Sequence, residues 1–272
     1  MKALLLSEYR HLELTELATP KPNRGEVLIR VAACGICGSD VHGYDGSSGR
    51  RIPPIVMGHE AAGMVAALGD GVSAFAQGDR VTFDSTVYCG ECPNCLRGDI
   101  NLCDRREVLG VSCGDYRRSG AFAEYVSVPA RIVHRLPDNL SFEQAALLEA
   151  VAVALHAVSL VPVSRDSRAL VVGAGMIGLL LQQALRVAGA ERVFVADVDT
   201  TRLAFSKQLG STATLSDRVP QRIAELTNGA GVDLAIEAVG KTESVNTAID
   251  SVRKGGSVVL VGNITPEITL PL

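Results

Sequence analysis

The stretch ALVVGAG (169–175), continued by MIGLLLQQALRVAG (176–189), decides the fold. A short apolar run closed by glycine reads as a buried strand, and the longer apolar-periodic run after it reads as a helix. A strand that enters a glycine turn and leaves as a helix opens a doubly wound parallel sheet. The same alternation continues to the C-terminal side. RVFVADV (192–198), TATL (212–215), VDLAIEAVG (232–240) and GSVVLVG (256–262) read as strands. TRLAFSKQLG, a segment near 218–227 and 241–253 read as the helices between them. On the N-terminal side, SFEQAALLEAVAVALHAVSLV (141–161) reads as one helix, opened by a capping-box pair of Ser141 and Gln144.

Before Ser141 the pattern is different. GEVLIRVAAC (25–34), AAGMVAALG (61–69), DRVTF (79–83) and FAEYVSVP (122–129) are apolar or alternating runs punctuated by Gly, Pro and Asp. They predict an antiparallel, partly barrel-like β unit with long loops. The fold class is therefore α/β in two domains, a β-rich domain over 1–140 and a doubly wound parallel domain over 141–272. A six-stranded dinucleotide fold needs one more crossover and strand after 256–262. That strand is apolar and poorly suited to an exposed edge, so the chain is expected to be C-terminally incomplete, truncated after strand five.

The chain has 272 residues, 47% hydrophobic residues and a net charge of −4, which fits a globular protein with a substantial core. The mild acidity argues against a nucleic-acid partner. The longest apolar stretch, 145–161, is interrupted by Glu149 and His156 and makes a poor membrane span. With no secretory leader legible in MKALLLSEYR, the expected location is cytoplasmic.

CGECPNCLRGDINLC (89–103) holds Cys89, Cys92, Cys95 and Cys103 with turn residues between them. Four thiolates at this spacing can close a tetrahedral shell around one Zn²⁺. The competing reading is two disulfides, against which stand the odd total of seven cysteines and a chain large enough to need no staples. A four-Cys shell has no open position, so such a zinc is structural. Arg97, Arg105 and Arg106 are expected to offset its excess negative charge, or else to be ordinary solvated arginines.

Gly173, Gly175 and Gly178 form G-x-G-x-x-G between the strand and the helix, the context that gives the motif its meaning. The glycines permit the tight turn, the approach of a pyrophosphate and close helix–strand packing. Asp197, ending the next strand, is placed for ribose hydroxyls and favours NAD over NADP, while Arg202 weakens that preference. Ile177 in the turn and Val261, Gly262 and Asn263 after the fifth strand complete the expected nucleotide contacts.

Two further segments, CGICGSDVH (34–42) and GHE (58–60), are not decisive alone. In this order with the four-Cys lobe and the glycine turn, they resemble the zinc-dependent medium-chain dehydrogenase/reductase family, in its sorbitol dehydrogenase-like, alcohol dehydrogenase-like branch. The resemblance covers the whole chain. It implies a GroES-like catalytic domain followed by a Rossmann domain, and an open catalytic zinc held by Cys37 and His59. Glu60 is implied as a ligand or exchangeable neighbour, and Glu149 as the next carboxylate. Glu149 lies in LLEAVAVALHA, similar to the family's LEP-x-x-x-x-x-H segment, with Ala150 where Pro is usual. An unpaired carboxylate in so apolar a helix would be costly, and a metal removes the difficulty. Which glutamate is bound at rest stays open. Cys34 and Cys113 are left as ordinary thiols.

The same resemblance implies the reaction. Zinc acidifies an alcohol, its carbon gives hydride to NAD, and the proton leaves by Ser39, the cofactor ribose and His42. It points to secondary alcohols, especially polyols, with galactitol 1-phosphate or threonine as alternatives. Arg50, Arg51, Arg117 and Arg118 would suit an anionic substrate if they reach the site, and are otherwise surface charges. A homodimer or homotetramer is implied for the full-length protein. A zinc- and nucleotide-binding chain without turnover is the rival of another class.

Overall fold

The computed structural model describes residues 1–113 and 116–270. It divides into two compact units, Met1–Glu149 and Ala150–Leu272.

The first unit carries β1 (Lys2–Glu8), β2 (His11–Glu16), β3 (Glu26–Cys34), α1 (Gly38–Tyr44), β4 (Ile55–Val56), β5 (Ala61–Leu68), β6 (Arg80–Phe83) and β7 (Thr86–Val87). It continues with α2 (Pro93–Leu96), β8 (Glu107–Val108), β9 (Val111–Cys113), β10 (Tyr116–Arg118), β11 (Tyr125–Pro129), β12 (Val133–Arg135) and α3 (Phe142–Ala146). Its main sheet is antiparallel in the order β11-β3-β5-β6-β12, and β2-β1-β4 form a second sheet. Val27, Ile29, Val65, Val81, Phe83 and Val128 fill the core of the main sheet. The N-terminal hairpin β1–β2 and helix α1 were not legible as elements in the sequence.

The pairing of β3 with β5 brings the segments 34–42 and 58–60 together. Gly63 sits where a Cβ would run into the Arg30 carbonyl, so only glycine lets the two backbones approach there. Two register shifts, at Leu28/Ile29 and Val31/Ala33, bend β3, as bulges do beside functional sites. The ladder ends with Cys34 opposite Ala61, and the Gly35 N–H extends it to the Glu60 carbonyl at 2.7 Å. Residues 35–37 and 58–60 are thereby fixed side by side.

The long helix expected from Ser141 is two helices, α3 and α4 (Leu148–Ser159), broken at Leu147. Its capping box forms as expected: the Gln144 N–H donates to Ser141 Oγ at 3.2 Å, and the Ser141 N–H donates to Gln144 Oε1 at 3.0 Å. Ala145, Leu148, Leu136 and Ala62 pack together, so this stretch is tied to the β-rich unit. The division between compact units therefore falls at Glu149/Ala150, later than the composition change near 140.

The second unit alternates β13 (Arg168–Val172), α5 (Met176–Val187), β14 (Arg192–Ala196), α6 (Thr200–Gln208), β15 (Ala213–Leu215), α7 (Val219–Leu226), β16 (Val232–Glu237), α8 (Thr242–Ser251) and β17 (Val252–Leu260). All five strands are parallel, in the order β15-β14-β13-β16-β17. Along β13 the side chains divide between two cores. Ala169 and Val171 pack with Leu181, Leu185 and Leu234, whereas Leu170 and Val172 pack with Ile223 and Ala248. Helices therefore cover both faces, which is why the strands are continuously apolar. The apolar strand β17 lies at the edge of the sheet among the described residues.

Candidate metal centres and nucleotide site

The four sulfurs of Cys89, Cys92, Cys95 and Cys103 lie within 4.8 Å of one another, and none of the cysteines is in a disulfide. The separations of 3.9 Å for Cys89–Cys95 and 4.0 Å for Cys92–Cys103 are close to the edge of about 3.8 Å expected of a tetrahedron with Zn–S bonds of about 2.3 Å. Backbone N–H groups of Glu91 and Cys92 donate to Cys89 Sγ, and that of Cys95 donates to Cys92 Sγ. The Glu91 N–H, followed by that of Cys92, brings the Cys89 thiol down to about 6. Backbone donors thus favour thiolates at Cys89 and Cys92, whereas burial pushes the Cys95 thiol up to about 12. Of the three arginines expected to neutralise it, only Arg105 approaches a sulfur, 3.7 Å from Cys89 Sγ. Arg97 pairs with Asp99, and Arg106 donates to the Asn101 carbonyl, because their own loop offers nearer acceptors.

The second cluster joins Cys37, His59 and Glu60, whose ligand atoms also lie within 4.8 Å of one another. Cys37 is the N-cap of α1, and its N–H donates to Asp40 Oδ2 at 3.0 Å. Asp40, 2% exposed, also places Oδ1 3.4 Å from His59 Nδ1. Ser39 Oγ stands 3.5 Å from His59 Nε2. Glu60 is 1% exposed, and neither carboxylate oxygen has a hydrogen-bond partner. Gly35 makes room for it, since a Cβ there would strike Glu60 Oε2.

The donors fit a cation. Burial opposes a charged His59, yet Asp40 and Cys37 outweigh burial and carry its pKa to about 10. Burial raises the Glu60 carboxyl, opposed by His59 and reinforced by Glu149. A buried carboxylate with no partner is costly, and a divalent ion beside Cys37 and His59 supplies the missing partner. Burial, then Asp40 and Glu60, push Cys34 up to about 12, so it stays a thiol. Cys113, at the end of β9, is partly buried.

The sequence pointed to Glu149 as the costly buried carboxylate, and the structure gives that position to Glu60. Glu149 is half-buried, accepts a 3.0 Å hydrogen bond from Ser85 Oγ, and lies outside the 4.8 Å group. His42, three residues along α1 from Ser39, is partly buried, with Nδ1 3.2 Å from Ser47 Oγ. Asp40, Arg51 and Ser85 were not singled out for this centre. The Asp three residues past Cys37, at the N3 position of a capped helix, was the signal available for the first of them.

In the second unit, Gly173 has φ 103° and Gly175 caps α5 with open space where a Cβ would stand. Gly178 faces the Gly173 carbonyl so closely that a Cβ has no room. Asp197 closes this turn: the Ala174 N–H donates to its Oδ2 at 2.6 Å and the Asp199 N–H to its Oδ1 at 2.8 Å. Arg202 is held near both carboxylates, 3.9 Å from Asp197 and 3.6 Å from Asp199. A pocket of about 420 Å³ at the C-terminal ends of the strands is lined by Gly173, Asp197, Arg202, Ser216, Lys241 and Ser244, among others. Ile177, in the first turn of α5, is partly buried. Val261 and Gly262 donate backbone N–H groups to the Glu237 carbonyl, and Asn263 abuts Gly240, where a Cβ would collide with it. Glu237, fully buried, was not anticipated. Its Oε1 receives the N–H groups of Val239 and Gly240 and shapes the loop after β16.

A parallel sheet with a glycine turn at its ligand-binding edge, in a chain that also carries a β unit with one four-sulfur cluster and one Cys–His–Glu cluster, defines a metal-dependent nucleotide-linked oxidoreductase. Known proteins agree. Residues 23–138 match the family described as "Alcohol dehydrogenase GroES-like domain", and residues 177–272 match "Zinc-binding dehydrogenase". A sorbitol dehydrogenase of Bacillus subtilis (strain 168) is 37% identical over 268 residues, covering 96% of this chain and 75% of that protein. Among solved structures, a protein of Sinorhizobium meliloti 1021 described as a zinc-binding dehydrogenase, bound to NADP, superposes with a TM-score of 0.91 at 33% identity. That match covers 99% of this chain and 79% of that one. Galactitol-1-phosphate dehydrogenase of Escherichia coli superposes with a TM-score of 0.92 at 30% identity, over 100% and 78% of the two chains. The chain belongs to the zinc-dependent medium-chain dehydrogenase/reductase family, in its sorbitol dehydrogenase-like branch. No helix among the described residues is long and apolar enough to cross a membrane.

Proposed function

We propose that this protein oxidises a secondary alcohol of a polyol to a ketone with NAD, using zinc held by Cys37, His59 and Glu60. The observation that carries this reading is Glu60, buried with both oxygens unpartnered against a thiol and an imidazole. With zinc bound in place of the His59 proton, one thiolate, one carboxylate and one neutral imidazole would sum to a neutral shell and would leave a fourth position for substrate. When bound, the zinc supplies a Lewis acid that acidifies the alcohol, and the nicotinamide accepts the hydride. The chain supplies the rest. Cys37 and His59 are held by Asp40, which gives each a fixed orientation. Ser39 Oγ, 3.5 Å from His59 Nε2, is placed to receive the hydroxyl proton, and partly buried His42, beside Ser47, is placed to pass it on to water. Glu60 is the resting carboxylate. Glu149, anchored by Ser85, would be the carboxylate available to replace it when substrate is admitted. The Cys89–Cys103 lobe holds the second, structural zinc.

The arginines favour an unphosphorylated substrate. Arg51 is buried, exposed Arg117 donates to the Pro54 carbonyl, and Arg118 is paired with Glu26 and Glu107, which leaves Arg50 as the exposed arginine of the four with no such tie. The test is NADH formation by the purified, zinc-loaded protein on a panel of polyols, their phosphates and threonine. Free polyols are expected to react best. Faster turnover of the phosphates would replace this substrate with a sugar-alcohol phosphate, and cofactor binding without product from any of them would reject the enzyme.

Asp197 and the engagement of Arg202 with Asp197 and Asp199 support NAD, since a 2′-phosphate would meet two carboxylates. Asp197→Ser is expected to move the ratio of NAD to NADP efficiency toward NADP by at least about tenfold. An unchanged ratio would remove Asp197 from cofactor choice. Free thiols at both metal sites suit the reducing cytoplasm, and a homodimer or homotetramer is the assembly this reading carries with it.

A further inference from the structure

Arg51 is the only arginine or lysine that is buried among the described residues, 5% exposed. A buried cation costs several kcal/mol unless it is well paired, and Arg51 is held at its flanking backbone, its stem and its Nη2, while Nε has no hydrogen-bond partner. Its backbone is clamped by buried Ser112. The Ser112 N–H donates to the Arg50 carbonyl at 3.1 Å, the Ile52 N–H donates to Ser112 Oγ at 2.7 Å, and Ser112 Oγ donates to the Ile52 carbonyl at 2.9 Å. Its stem crosses α1 at Gly43, where a Cβ would overlap Arg51 Cδ. The guanidinium Nη2 then donates to Ser39 Oγ at 3.1 Å and stands 3.6 Å from Asp40 Oδ1. Those two residues are the ones that touch Cys37 and His59.

A guanidinium carries donors and no acceptor, so the Ser39 oxygen must accept in this pair and the Ser39 hydrogen must point away from Arg51. Asp40 is a buried carboxyl group against the Cys37–His59–Glu60 cluster, and Arg51 is the buried cation that stands against it at 3.6 Å.

The geometry points to Arg51 as a positioning residue of the metal centre. It holds Asp40 against His59 and sets the direction of the Ser39 hydroxyl, with Gly43 as the slot that admits it. This rests on the reading of Cys37, His59 and Glu60 as zinc ligands.

The test uses the full chain with Arg51→Met, Arg51→Lys and Gly43→Ala, and reads zinc per chain under chelator competition, the visible spectrum of the Co²⁺-substituted protein, and kcat and KM. Arg51→Met is expected to keep the lobe zinc and to bind the second metal about 10- to 100-fold more weakly. Its Co²⁺ band should shift, and kcat should fall while KM for NAD stays put. Arg51→Lys should recover part of the affinity, since it keeps the charge but not the planar fork. Gly43→Ala keeps every residue of the network but pushes the Arg51 stem out of its slot. It should weaken the same metal site and add nothing when combined with Arg51→Met. Wild-type metal affinity and spectrum in Arg51→Met would overturn the proposal. If Arg51→Met does not fold, wild-type behaviour of Gly43→Ala would do so. Additive effects of the two substitutions would also count against it. A wild-type protein that binds zinc only in the Cys lobe would instead remove the ligand assignment itself, whatever Arg51 does.

Discussion

Cys37→Ala should yield a folded protein that carries one zinc per chain instead of two and turns over no alcohol. Cys37 caps a seven-residue helix and is only partly buried, so its loss opens no cavity in either core. What it removes is the thiolate of the Cys37–His59–Glu60 cluster. Two ligands and a distant third do not hold zinc against water. Without the metal, the reaction loses several kcal/mol of charge stabilisation, or a fall of about 10⁴-fold in kcat. Metal analysis and nicotinamide absorbance on the same preparation measure both effects. The zinc that remains should be resistant to removal, because it sits in a four-sulfur shell with preformed backbone donors. A variant with full activity would end the proposed mechanism, and a variant with no zinc at all would show that the lobe depends on the open site.

Gly178→Val should abolish nucleotide binding and destabilise the second unit while leaving both zinc sites loaded. At Gly178 even a Cβ has no room beside the Gly173 carbonyl, which is backbone and cannot rotate away. A branched side chain would force α5 off β13 and open the turn that Asp197 closes through the Ala174 N–H. Overpacking of this kind costs about 1–3 kcal/mol, more where backbone must move. The nucleotide site is expected to weaken by at least about 100-fold, since the turn is where the pyrophosphate would lie. A fluorescence titration with NADH reads the binding and a thermal melt reads the stability. Unchanged NADH affinity would mean that the glycine turn is not the phosphate site.

The two substitutions probe features that were not equally legible. The G-x-G-x-x-G turn is local: three glycines, a strand and a helix lie within twenty residues, and their roles come from spacing. The four-Cys lobe is local in the same way, and its sulfurs converge as the spacing demanded. The Cys37–His59–Glu60 cluster was legible only through resemblance, because its residues stand on segments twenty-two residues apart with nothing in either one to force them together. Glu149 illustrates the limit. In the sequence it is the conspicuous carboxylate of an apolar helix, yet Ser85, sixty-four residues away, gives it a partner and leaves Glu60 as the orphan. The arginines were left between two roles for the same reason, and among those near the lobe Arg105 alone reaches a sulfur. Their acceptors are carbonyls and carboxylates of neighbouring loops, which composition does not reveal.

Periodicity and spacing were sufficient for the doubly wound sheet, the glycine turn and the structural metal lobe, since each is built from interactions between residues close along the chain. They did not reach the N-terminal hairpin, the break at Leu147 or the division at Glu149. Nor did they reach the choice between two glutamates or the buried Asp40–Arg51 pair. Those depend on the register that sets Cys34 against Ala61 and on which polar groups that register strips of water, and burial is a property of the folded whole rather than of any segment.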